Sequence, residues 1–97
     1  MQRSSRVQRS VTQLGQQLRA WRQLQSLTIE QVAERAATTR QTVARLESGD
    51  PAVSIGIVFE VLRALGVLDA VVTAADPYES DLGRARADEQ LPRRVRS

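Results

Sequence analysis

Within TTRQTVARLESG, residues 38–49, the side chains of Arg40, Gln41, Ala44, Arg45 and Ser48 fall on one side of a helix at ~100° per residue, opposite Val43 and Leu46. Two guanidiniums and an amide therefore surround a small alanine. Arginine bonds bidentately to guanine edges and glutamine to adenine edges, each good pair contributing ~1–3 kcal/mol of discrimination. The chemistry on offer is hydrogen-bond reading of a polar surface. Ala44 would let such a surface approach closely and meet a thymine methyl, although exposed alanine is first of all a good helix former.

Bond-making chemistry finds few tools in this chain. It contains no cysteine and no histidine, which removes thiolate and imidazole metal ligands and the usual general base. Glu30, Glu34 and Glu47 show no catalytic spacing with a base, and no Gly-rich phosphate loop occurs. Neither an enzyme nor a cofactor or metal is expected. The 97 residues, 41% of them hydrophobic, suffice for one small domain with tails. No apolar run approaches the ~20 residues of a membrane span, and no apolar signal-peptide core follows the N-terminus. A soluble cytoplasmic protein without a membrane partner is expected.

The net charge is +3, and all 14 basic residues are arginine, whose planar forks suit phosphate and guanine edges. Genome composition explains arginine usage equally well. The distribution is more informative: residues 1–25 hold Arg3, Arg6, Arg9, Arg19 and Arg22 and no acid, whereas residues 51–77 hold only Arg63 against Glu60, Asp69 and Asp76.

The elements that must position the reading face follow from periodicity and caps. Residues 1–9 lack apolar periodicity and are expected to form a flexible Arg-rich arm. Ser10 with Gln13 has the capping-box pattern, and Val11, Leu14, Leu18, Trp21 and Leu24 or Gln25 make the stripe of a first helix from about residue 11 to 25. Thr28 with Gln31 repeats the pattern before a short second helix burying Ile29, Val32, Ala33 and Ala36. The intervening AATT is too short for a long loop, so the third helix must cross the second steeply, as a helix-turn-helix requires. Ser54 caps a fourth helix with Ile55, Val58, Val61, Leu62 and Leu65 on its apolar side, and Gly66 closes it. Residues 67–75, apolar on two sides through Val67, Leu68, Val71 and Val72, are expected to form a C2 dimer contact, with core completion as the alternative. A strand paired across the dimer is also compatible with these valines. Residues 10–75 thus make an all-α, five-helix bundle, and residues 76–97 a tail, mostly disordered by itself. Tyr78, Leu82 and Ala85 or Arg86 fit one face of a helix formed on binding, and Leu91, Arg93 and Arg94 lie in the extended basic end LPRRVR. A solvating appendage is the alternative.

LTIEQVAERAATTRQTVARLESGDPAVSIGIVFEVLRALGV resembles the Xre/Cro-type helix-turn-helix of lambdoid phage repressors, with Ala33, Val43 and Leu46 at the motif's small, branched and leucine positions. The likeness spans about residues 11 to 75. It implies a lambda-repressor-like fold in which Arg40, Gln41 and Arg45 contact bases, Thr39 meets phosphate as the N-cap, and Thr42 touches backbone or base. Arg22 and Glu47 resemble the family's structural salt bridge. Where the family often has a turn glycine this chain has Ala37, at a cost of ~1 kcal/mol. Ile29 replaces a phosphate-reaching glutamine, leaving Thr28 and the helix N-terminus for that contact. The GDP-x-V-S-[IL]-G element and the following tail are similar to HipB-like antitoxins paired with HipA-like kinase toxins. The resulting expectation is a homodimeric repressor of a palindromic operator on double-stranded DNA, an antitoxin whose tail residues Tyr78, Leu82, Arg86, Leu91, Arg93 and Arg94 are candidate toxin contacts. A regulator without a toxin, or a protein-interaction module with weak DNA binding, are the other readings. The N-terminal arm either adds phosphate or minor-groove contacts or is merely solvated.

Overall fold

Ser4, rather than Ser10, begins the first helix. The computed structural model describes residues 4–91; Arg3, Arg93 and Arg94 lie outside them. Helix α1 runs Ser5–Leu24, and the Ser4 hydroxyl accepts the Val7 N–H at 3.2 Å. Ser10 sits inside it, its hydroxyl donating to the Arg6 carbonyl at 3.0 Å. The expected arm of residues 1–9 is thus helical from Ser5 onward. The reason is a contact from outside the helix: the Gln8 amide, which also bonds Thr12 Oγ1 one turn on at 3.2 Å, donates to the Gly49 carbonyl at 3.0 Å. That contact ties the additional turns to the segment after residue 48.

Helix α2, Ile29–Arg35, starts from a reciprocal box in which Thr28 Oγ1 accepts the Gln31 N–H at 3.1 Å and Gln31 Oε1 accepts the Thr28 N–H at 2.8 Å. Ala37 takes the left-handed conformation, φ 54°, and the Thr38 N–H returns to the Ala33 carbonyl at 2.9 Å. That reversal launches α3, Arg40–Glu47, from Thr39. Helix α4, Ile55–Leu65, is capped by Ser54 and closed by Gly66 at φ 80°, a conformation that a side chain would strain. Residues 68–74 form a helix, α5, Leu68–Ala74, and not a strand.

Residues 76–91 of the tail are structured too, which corrects the disorder expected for them and raises the five expected helices to six α-helices and a 3-10 turn, with no strand, among the described residues. Asp76 accepts the Tyr78 N–H at 2.9 Å and Pro77 opens the 3-10 turn Pro77–Glu79. Ser80 then caps α6, Asp81–Gln90, which folds back on that turn with Ala87 buried. Arg84 fastens the fold-back, donating to the Tyr78 carbonyl at 2.6 Å and pairing with Asp81. These are local contacts that a search for apolar stripes overlooks, because the face they bury is small.

The core gathers Leu18 of α1, Val32 and Ala33 of α2, Ala36, Val43 and Leu46 of α3, and Val61, Leu62 and Leu65 of α4. Each fully buried aliphatic side chain contributes about 1.5–3 kcal/mol. Helix α1 packs on α3 and α4, and α2 on the same two. Trp21, expected on the inward stripe of α1, is 45% exposed, and of Leu24 or Gln25, expected to end that stripe, Leu24 is 76% exposed while the Gln25 amide donates to the Leu65 carbonyl at 2.7 Å. Helix α5 has no buried residue and packs on α4 alone among the elements with substantial contact. Its first part divides the expected dimer set: Val67 and Leu68 pack against the core, whereas Val71 and Val72 are exposed.

Candidate nucleic-acid interface

The outward face of α3 owes its direction to its inward one. Val43 and Leu46 are buried, 0% and 3% exposed, which fixes the rotation of the helix about its axis. Arg40, Gln41, Ala44 and Arg45 are consequently exposed. Thr39 holds the N-terminus by accepting the Thr42 N–H at 3.2 Å, and the two threonine hydroxyls lie 2.9 Å apart. Unpaired backbone N–H groups at such a terminus favour an anionic ligand. Thr39, Arg40, Gln41 and Ala44 line one open cleft together with Ile29 at the start of α2. Thr28, at the α2 cap beside Ile29, is exposed.

Arg45 and Ser48 lie further along the helix, outside that cleft. Ser48 is exposed, but its hydroxyl donates to the Arg45 carbonyl at 2.9 Å, so it serves its own helix end. Both arginines have carboxylate partners that helical periodicity does not reveal. Arg40 Nε lies 2.9 Å from Glu30 Oε1 of α2, and Arg45 Nε donates to Asp50 Oδ2 at 2.7 Å. The other Asp50 oxygen accepts the Ala52 N–H at 2.8 Å. The only sequence signal for these partners was charge itself, since neither acid shares a helix face with its arginine.

Beneath the face, Arg22 of α1 grips Glu47 at the end of α3 through two parallel bonds, Nε to Oε2 at 2.8 Å and Nη2 to Oε1 at 3.0 Å. Its Nη1 donates to the Leu27 carbonyl at 3.0 Å, so one guanidinium joins α1, the α1–α2 turn and α3. The side chains are 12% and 9% exposed. The hydrogen bonds to Glu47 raise the Arg22 pKa above its ordinary value, burial opposes them, and the charges of Glu47 and Glu30 add to the rise. With its pKa raised, Arg22 contributes stability that is retained until pH climbs through the arginine range. Gly15 completes this joint: a Cβ there would lie 2.5 Å from the Leu46 carbonyl oxygen and 2.8 Å from that of Glu47.

The candidate toxin contacts sit elsewhere. Tyr78 is half-buried in the 3-10 turn, whereas Leu82, Arg86 and Leu91 are exposed on or just after α6. The structure therefore does not gather Tyr78 with Leu82 and Arg86 on one helical face. Among the described residues no helix is long and apolar enough to cross a membrane, and no group of three or more His, Cys, Asp or Glu side chains is placed to hold a metal.

Residues 13–75 match a family described as "Helix-turn-helix domain". No curated protein and no solved structure matches the chain. The matched segment contains α2, α3, α4 and α5 with most of α1 and all the side chains of the reading face, and spans well over half of the sequence: the chain belongs to the helix-turn-helix domain family, whose hallmark is DNA binding.

Proposed function

We propose that this protein is a sequence-specific transcriptional repressor that binds a palindromic operator as a homodimer in the cytoplasm, without catalysing a reaction. The observation that carries the reading is the exposed set of Arg40, Gln41 and Arg45 around Ala44 on a helix whose opposite face is locked in the core. Arg40 and Gln41 begin the helix and enter the groove first, reading guanine and adenine edges; Thr28 and Thr39, at the starts of α2 and α3, meet phosphate. Two such helices related by a two-fold axis address half-sites about 34 Å apart. The narrower reading is an antitoxin that represses its own operon and holds a HipA-like kinase toxin. It draws on the likeness of the GDP-x-V-S-[IL]-G element and tail to HipB-like antitoxins, and on α6, which presents Leu82 and, just beyond it, Leu91 to solvent.

A gel-shift of the full chain against its own upstream DNA, across a salt series and beside the Arg40→Ala, Arg45→Ala double variant, tests the proposal. Loss of two bidentate contacts at ~1–3 kcal/mol each reduces specific affinity by at least about thirty-fold while the fold persists. Equal binding by the wild type and a folded double variant would move the DNA-reading surface away from α3. Absence of specific binding by the wild type would leave partner capture through the tail as the better reading.

A further inference from the structure

The two arginines of the reading face do not stand as free cations. Glu30, on the exposed side of α2, forms an ion pair with Arg40, Oε1 to Nε 2.9 Å, without an aligned N–H···O bond, whereas Asp50, in the loop after α3, accepts the Arg45 Nε–H at 2.7 Å. The repetition is informative because the two acids come from different elements on either side of α3. Their contribution to folding is small: the side chains of Arg40 and Glu30 are 70% and 63% exposed, and exposed pairs add little stability. Asp50 is more firmly held, since its second oxygen accepts the Ala52 N–H, so the loop fixes the carboxylate that in turn fixes Arg45.

Occupying Nε has a geometric consequence. A guanidinium offers a side edge, Nε with one Nη, and an end edge formed by the two Nη groups. At Arg45, where the Asp50 carboxylate takes the Nε–H, the end edge is left as the outward fork, and that edge spans the O6 and N7 acceptors of guanine. There is also an electrostatic consequence. Each acid offsets the charge of its arginine, which weakens attraction to any phosphate more than it weakens a two-point hydrogen-bonded match to a base.

We propose that Glu30 and Asp50 set the base selectivity of α3, Asp50 as a positioning residue that aims the Arg45 fork at a guanine edge, and both acids by suppressing indiscriminate phosphate binding. The proposal rests on the DNA-reading role of α3. A bare arginine pair at this site would bind DNA more tightly and read it less well.

The test uses the full chain and two probes: duplexes that the wild type enriches from a random-sequence library, and the unselected library itself. In Glu30→Gln and Asp50→Asn, affinity for the unselected library rises, its salt dependence steepens by about one unit of slope per acid removed, and the ratio of enriched to unselected binding falls ~10-fold per acid. Asp50→Glu keeps the charge but moves the carboxylate; it retains the wild-type salt slope and still loses selectivity. Nitrogen-15 relaxation of the arginine Nε–H groups in the DNA-free protein shows Arg45 ordered in the wild type and mobile in Asp50→Asn. Parallel gains on both probes with an unchanged ratio would reduce the acids to general surface charge and overturn the proposal. Equal Arg45 Nε–H mobility in wild type and Asp50→Asn would overturn it independently of DNA. A wild type that enriches no sequence would instead remove the DNA-reading role of α3, and this proposal with it.

Discussion

Arg22 and Glu47 show how one side-chain pair sets the geometry of a reading helix without touching what is read. The bidentate bond is nearly buried, and the third donor of the guanidinium closes the α1–α2 turn. Removing one partner leaves the other charge in poor solvent, at a cost of about 3 kcal/mol, the lower end for a buried pair because both side chains keep some exposure. Glu47→Ala is therefore expected to lower the melting temperature by at least about 10 °C in circular dichroism, at roughly 4–8 °C per kcal/mol for a domain of this size. An apolar Arg22→Met, Glu47→Leu double variant should recover most of that loss. A wild-type melting profile in Glu47→Ala would end the scaffold assignment. The acids above this pair were not legible in the same way. Arg40 and Arg45 are visible in the sequence through their spacing, but Glu30 and Asp50 meet them across element boundaries, and distance along the chain says nothing about which exposed charges become neighbours.

At the scale of elements, capping chemistry made α2, α3 and α4 legible. Thr28, Thr39 and Ser54 each accept a backbone N–H three residues on, and such a bond needs only local chain geometry. The start of α1 was not legible, because Ser4 and Ser10 are both acceptable caps and a tertiary bond from Gln8 to Gly49 decides between them. Gly15 was missed for a related reason. Inside a helix glycine costs ~1 kcal/mol relative to alanine, so its presence reads as a defect until α3 is placed against it. Gly15→Ala, a substitution that would stabilise an isolated helix, is instead expected to destabilise the domain by about 1–3 kcal/mol through overpacking against the Leu46 and Glu47 carbonyls. Chemical denaturation checks the sign. A stabilised Gly15→Ala would mean that α1 and α3 separate without penalty. The 3-10 turn escaped the sequence reading, and a helix near α6 was expected only on binding, because their order comes from Asp76, Ser80 and Arg84 bonding to nearby backbone rather than from an apolar stripe.

For the whole molecule, the exposed end of α5 bears on assembly. Val71 and Val72 are 38% and 53% exposed on a helix with no buried residue, while the adjoining Val67 and Leu68 are engaged with the core. Under the proposed homodimer, Val71→Asp with Val72→Asp should yield a monomer by sedimentation equilibrium with its melting temperature little changed. Operator affinity should drop by roughly 10²-fold or more, because the second half-site is no longer linked to the first. An unchanged oligomeric state would remove this end of α5 from the interface. The sequence by itself determined the helices up to residue 66, the short turn between α2 and α3 and the outward placement of Arg40, Gln41 and Arg45, because caps, apolar spacing and turn length act over a few residues. Only the tertiary structure decided where α1 begins, why Gly15 is tolerated, how the α5 valines divide between core and solvent, and which acids hold the reading arginines. Each of these depends on distances between elements remote in sequence or separated by a turn, and those distances exist only once the core has closed.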